Sequence, residues 1–203
     1  MIVNKRIGIL VPQHANDFEI AVLNLILKEA GAFVTLVSLG KQLTMQMQTL
    51  NKIVCDELIE KCNLSKFNFL ILISSPSLRQ ETINKYSFIM GTPRVPKINY
   101  FLNSFFARNE PNKFLIALNN SCCFLNENGL IDGYKVTCND KFCQIDNNLK
   151  NQKEEIIVDR NLVTTNSSHS AIKVAYRILE LIGLKSEIPE HQLNLFNKIL
   201  KDD

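Results

Sequence analysis

The chain has 203 residues, of which 46% are hydrophobic and 21% charged, with a formal net charge of +3. That is enough for one well-filled core and the balance of an ordinary globular protein, so a single domain over 1–203 is expected. The lysines are scattered, no long basic run occurs and Trp is absent, which argues against a nucleic-acid partner. No stretch approaches the ~20 apolar residues of a membrane helix, and the apolar run Ile7–Val11 is too short for a signal-peptide core before Pro12. No membrane partner is expected, and a cytoplasmic location is the default.

Arg6–Val11 is a short apolar run of the kind that forms a buried parallel strand. A helix is predicted from about Asp17 to Ala30, because Ile20, Leu23, Leu27 and Ala30 recur at helical spacing and Gly31 stands where a C-terminal cap belongs. A strand over Ala32–Leu39 follows, completing a βαβ unit and implying a parallel sheet. Thr44–Leu50 alternates polar and apolar residues, as an edge strand or hairpin does, and Lys52–Cys55 reads as another short strand.

Phe67–Ile73 is the strongest buried-strand signal and ends at Ser74-Ser75-Pro76-Ser77. A helix near Lys97–Arg108, a strand over Lys113–Leu118, a short helix from Ser121 to Asn128 stopped by Gly129, and a strand over Tyr134–Cys138 follow. Asn147–Glu155 reads as a surface turn, Ile156–Val158 and Leu162–Thr164 as strands around Asp159-Arg160-Asn161. Ser170–Ile182 reads as an amphipathic helix capped by Gly183, and Pro189–Leu200 as a last helix. The alternation predicts a doubly wound, largely parallel sheet with helices on both faces, whose site would sit at the carboxyl ends of its strands.

Six cysteines in a reducing compartment read as thiols rather than as a disulfide framework. Cys122 and Cys123 are adjacent, no CxxC spacing occurs, and the histidines lie far from the cysteines, so neither a metal nor another cofactor is expected.

Three strand ends carry a resemblance to the DJ-1/ThiJ/PfpI superfamily. The first is Ile7–Val11 with Asp17-Phe18-Glu19 and Ala30-Gly31-Ala32-Phe33-Val34. The second is Phe114–Leu118 with Gly129–Gly133 and Lys135-Val136-Thr137. The third is Asp159-Arg160-Asn161-Leu162-Val163-Thr164 leading into the helix that ends at Gly183. The resemblance implies a flavodoxin-like, class I glutamine amidotransferase-like sheet of DJ-1 type and a homodimer. In family members known as enzymes it also implies a cysteine nucleophile at a strand–helix elbow with an acidic partner from the first helix.

The acidic partner carries over onto Glu19. The nucleophile does not: ungapped spacing puts Asn119 at the elbow, Ser74-Ser75 at the glycine turn, Asn139 where a histidine is frequent, and Asn166–His169 in the turn before the long helix.

Asparagine has no nucleophile comparable to a thiolate, yet tolerates left-handed backbone, so the elbow could persist without its chemistry. The plainer use of Asn119 is as a cap for the following helix. Cys122 could serve as a displaced nucleophile or simply as a core thiol, and Glu19 as a pocket carboxylate or an exposed anion in the first helical turn. His14 and His169 could line the same cleft or face solvent, and Cys55 packs in the core or at a dimer contact.

The expectation is therefore a non-classical member without the usual cysteine chemistry, serving as a binding, stress-related or regulatory protein, with the elbow pocket as the place for a small-molecule ligand. The alternatives are a glyoxalase-, deglycase- or hydrolase-type enzyme acting through Cys122, and a cysteine redox sensor.

Overall fold

The computed structural model describes residues 5–78, 97–106, 110, 112–138, 150–184 and 194. Its first unit is built as the periodicity requires. Strand β1 (Arg6–Val11) is buried at every position but the first. Helix α1 (Asp17–Glu29) is capped by Asn16, whose side chain accepts from the Glu19 N–H, so one of the free amides of the first turn is satisfied. Gly31, at φ +81, turns the chain out of α1, and β2 (Phe33–Ser38) pairs parallel to β1.

Strands β3 (Thr44–Gln46) and β4 (Lys52–Val54) form a separate antiparallel ribbon, followed by a two-residue strand β5 (Glu57–Leu58) on the free edge of β2. The predicted strand Thr44–Leu50 stops early. Past Gln46 the backbone turns, with the Met47 N–H on the Asn51 carbonyl and Leu50 at φ 69. Strand β5 is too short to show a periodicity and was not expected.

Strand β6 (Phe69–Leu72), helix α2 (Lys97–Phe106), strand β7 (Phe114–Ala117) and helix α3 (Ser121–Glu127) come next. The predicted strand Tyr134–Cys138 shortens to β8 (Lys135–Val136). It pairs with β9 (Lys150–Asn151), inside the predicted surface turn, and stays outside the main sheet. Strands β10 (Ile156–Asp159) and β11 (Leu162–Thr165) form an antiparallel hairpin turned at Arg160, φ 54. Helix α4 (Ser170–Ile182) ends on Gly183 in the left-handed region. The predicted helix Pro189–Leu200 lies, but for residue 194, outside the described residues.

The main sheet has the order β10-β11-β7-β6-β1-β2-β5, parallel throughout except for β10 against β11. The two-residue period of a strand sends alternate side chains to opposite faces. Ile7, Ile9 and Val11 join Phe69, Ile71, Ile116 and Val163 in one core with α1 and α4. Leu10, Leu70, Leu72, Leu115 and Leu162 join a second core with α2 and α3. Both faces are covered, so the central strands are apolar at every position beyond the exposed Arg6, and the doubly wound reading stands. All the βα turns that matter for chemistry then open at the carboxyl edge, beyond Val11, Leu72 and Ala117.

Because Ile71 is wholly buried in the central strand β6 whereas Val54 in the outlying ribbon is 67% exposed, their truncations should differ sharply. Ile71→Ala is expected to lower the urea unfolding free energy by about 2–5 kcal/mol and Val54→Ala by no more than about 0.5 kcal/mol. Equal effects in urea titrations would contradict this layering.

Candidate functional site at the strand–helix elbow

The chain leaves β7 at Leu118 and enters α3 through Asn119, whose φ of 48 is the left-handed geometry of a sharp elbow. Asparagine reaches this region more readily than most residues, and the turn is pinned by the Asn119 N–H donating to Thr165 Oγ1 at 3.0 Å. The Asn119 side chain does not cap α3. Its Nδ2 donates to Ser168 Oγ at 3.3 Å, and its buried Oδ1 has no hydrogen-bond partner. Asn120 holds the N-cap position without a side-chain cap bond, because its Oδ1 accepts from the Ser75 N–H at 3.1 Å. The capping expectation is thus overturned: Asn119 spends its amide donor on the Ser168 hydroxyl, and Asn120 gives its oxygen to the Ser75 N–H.

Glu19 lies one turn into α1 and is 0% exposed, so it is no surface anion. Its Oε2 accepts from the Ser74 N–H at 2.8 Å, its Oε1 from the Ser74 hydroxyl at 2.7 Å, and Ser168 bonds it as well. Burial pushes the Glu19 carboxyl above its ordinary value, and the bonds from Ser74 and Ser168 pull against that without cancelling it. Ser168 Oγ also accepts from Asn16 Nδ2 at 3.1 Å. One hydroxyl therefore joins the cap of α1, the acid and the elbow. Ser75 donates through its hydroxyl to the Gln13 carbonyl, closing the loop after β6 onto the loop after β1.

The structure thus brings Glu19, Ser74, Ser75 and Asn119 together, and adds Asn16, Asn120, Thr165 and Ser168. Ser168 lies in the Asn166–His169 turn that the resemblance marks, whereas Asn16, Asn120 and Thr165 carry no signal of their own, since single polar residues in loops have no pattern to read. His14, at φ 54, and His169 are both exposed. The His14 N–H holds the Gln46 carbonyl at 2.7 Å, and the His169 ring leans on Phe18 with centroids 5.7 Å apart. Neither histidine has a bond to Glu19 or Asn119. Asn139 lies outside the described residues.

Cys122 is 0% exposed and is bonded to Cys138, with their Cα atoms 5.9 Å apart, a separation that suits a disulfide. This corrects two expectations: that all six cysteines are thiols, and that Cys122 could stand in as a free elbow nucleophile. The sequence separation of 16 hides how the end of β8 returns beside α3. Cys55 and Cys62 are free and buried, each pushed up to about 12 chiefly by burial, so neither is a ready nucleophile. Cys55 belongs to the apolar core.

A cavity of about 200 Å³ does occur, but it is lined by Cys62, Leu64, Tyr100, Phe101, Phe105 and Lys113. Leu64 and Lys113 precede β6 and β7, so this cavity is at the amino ends of those strands, across the sheet from the elbow. Among the described residues no cluster of three or more His, Cys, Asp or Glu could hold a metal ion, and no helix is long and apolar enough to cross a membrane.

The buried acid gives a pH signature. A carboxyl raised by folding keeps its proton longer in the folded state, so the stability it contributes is complete at low pH and is lost as pH rises through its folded value. Glu19→Gln removes this titration while keeping one acceptor. The variant should be the less stable at low pH, and the gap should narrow as pH climbs above 4.5, the ordinary glutamate value. Urea titrations across that range check it, and parallel profiles for the two proteins would refute it.

No family model matches this sequence, and no curated protein matches it either. Solved structures do. Drosophila melanogaster DJ-1beta superposes with a TM-score of 0.80 at 18% identity, covering 96% of this chain and 98% of that one. A DJ-1 superfamily protein of Salmonella typhimurium gives 0.78 at 15% identity, over 95% and 98% of the two chains. Oxidized DJ-1 of Toxoplasma gondii gives 0.76 at 18%, again over 95% and 98%. At such identities the likeness speaks for architecture, and it runs nearly end to end. The fold of this chain is that of the DJ-1/ThiJ/PfpI superfamily.

Proposed function

We propose that this chain is a non-classical DJ-1/PfpI protein that works by binding or regulation, in the cytoplasm, without a cysteine nucleophile. The observation that carries the reading is the occupant of the elbow. A carboxamide, Asn119, sits at φ 48 and is tied through Ser168 to the same acid that the resemblance assigns as partner of a thiol. A carboxamide has no lone pair of thiolate strength to offer a carbonyl carbon. The nearest thiol candidate, Cys122, is spent in a bond to Cys138. What remains is a recognition chemistry: the unpartnered Oδ1 of Asn119 suits a small polar ligand that donates a hydrogen bond there.

The test is gain of function. Wild-type protein should turn over a small aldehyde no faster than buffer, and near pH 7 none of its cysteines should alkylate rapidly. Asn119→Cys should create one thiol that alkylates at least tenfold faster than Cys55 or Cys62, read by peptide mass analysis. Wild-type turnover that vanishes in Cys122→Ala would overturn the proposal.

The proposed assembly is a homodimer. Helix α1 supports it: Phe18 and Leu25, 41% and 55% exposed, stand seven residues apart on one face of the helix with Ala21 between them, also exposed. Sedimentation at micromolar concentration should give twice the chain mass, and Leu25→Glu should shift the protein to monomer while keeping its circular dichroism. A wild-type monomer would refute the assembly without touching the elbow reading.

A further inference from the structure

The Cys122–Cys138 bond fastens two parts of the fold that are held in very different ways. Cys122 is in the first turn of α3, wholly buried in the core that fills one face of the sheet. Cys138 and Val136 pack in that same core, but the backbone there is β8, a two-residue strand outside the main sheet whose ladder is the equally short β9. Besides that ladder, the main polar attachments of the strand are the Lys135 N–H on Asp159 Oδ2 at 2.8 Å, the Gln152 N–H on the Val136 carbonyl at 2.8 Å, and the Thr137 N–H on Thr164 Oγ1 at 2.9 Å. A two-residue ladder outside the main sheet opens locally at a free energy below that of global unfolding. The free thiols among the described residues, Cys55 and Cys62, are buried with strongly raised values and are poor partners for exchange.

We propose that Cys122 and Cys138 form a reversible disulfide–dithiol couple that sets how firmly β8 is held against the elbow helix. Local opening of β8 brings the bond to a dithiol reductant. Its thiolate attacks one sulfur, a mixed disulfide forms and the other cysteine leaves as thiolate. The second thiol of the reductant then closes its own disulfide. Two electrons pass to the pair, and Cys122 and Cys138 each end with a proton. A small disulfide such as oxidised glutathione reverses the sequence. Oxidised, the couple anchors Thr137 against Thr164, next to the Thr165 hydroxyl that receives the elbow N–H; reduced, β8 keeps its hydrogen bonds and the packing of Val136.

The experiment uses the full chain. Tryptic digestion of Cys123→Ser, which removes the neighbouring bonded cysteine from the same peptide, should without reductant yield Phe114–Lys135 linked to Val136–Lys141, with a mass two hydrogens below their sum. In that background the link should be absent once Cys122→Ser or Cys138→Ser is added. Dithiothreitol in native buffer should dissolve it, and oxidised glutathione should restore it. On reduction, and equally in Cys138→Ser, the Thr137 amide should exchange with deuterium at least tenfold faster while the amides of β6 keep their rates. A link that opens only in denaturant would make the bond a permanent staple and overturn the proposal. So would unchanged exchange at Thr137, or equal acceleration at Thr137 and β6.

Discussion

Everything at the carboxyl edge of the sheet is organised around a carboxyl group taken out of water. Glu19 has no exposed surface, and a buried acid without donors is among the most costly features a fold can hold. Here the donors come from separate stretches of chain: the Ser74 amide and hydroxyl beyond β6, and the Ser168 hydroxyl ahead of α4. These segments are far apart in sequence, and the packing of α1 on α4 and the Asn16 N–H on the Ser74 carbonyl already bring them near one another. Satisfying the acid then fixes the fine spacing between the first helix, the loop after β6 and the turn before α4. Ser168 extends the constraint to Asn16 and Asn119, so the N-terminal cap of α1 and the elbow share a single hydroxyl.

Asparagine suits the elbow for reasons of backbone and side chain together. A left-handed residue between a strand and a helix must pay little steric penalty, and among residues with side chains Asn does so best. Its amide then reaches Ser168 with a donor, which a cysteine in the same place could do only weakly. The exchange leaves Oδ1 without a partner. A buried acceptor in that condition costs about 1–3 kcal/mol, a deficit the rest of the packed edge offsets.

The sheet could be read from the sequence because its strands are apolar on both faces. Uninterrupted runs such as Ile7–Val11 and Phe67–Ile73 belong to buried parallel strands, and Gly31 and Gly183 mark the helix ends beside them. Strand β5 escaped because two residues show no period, and Thr44–Leu50 was overextended because an alternating pattern says nothing of where Met47 begins to turn. In the site, Glu19, Asn119 and the turn that holds Ser168 were legible from motif order, whereas Asn16 and Asn120 are ordinary loop residues until tertiary structure brings them together. The pairing of Cys122 with Cys138 depends on how Gly129–Gly133 redirect the chain between α3 and β8, which the spacing alone does not contain.

Under the proposed reading, the three groups that could do covalent chemistry at the elbow are withdrawn by three different physical means. At Asn119 the atom itself is replaced, and the geometry stays. At Cys122 the thiol exists but is buried and shared with Cys138, so its sulfur has no free lone pair of thiolate character. At Glu19 the carboxyl survives, yet both oxygens accept from Ser74, and burial favours its proton. A general base must reach the proton it removes within hydrogen-bond distance, and Glu19 can do so only if Ser74 or Ser168 lets go. Restoring a thiol at the elbow would therefore test the first of these means in isolation. The acid would still have to exchange a serine for the new sulfur before the pair could act together.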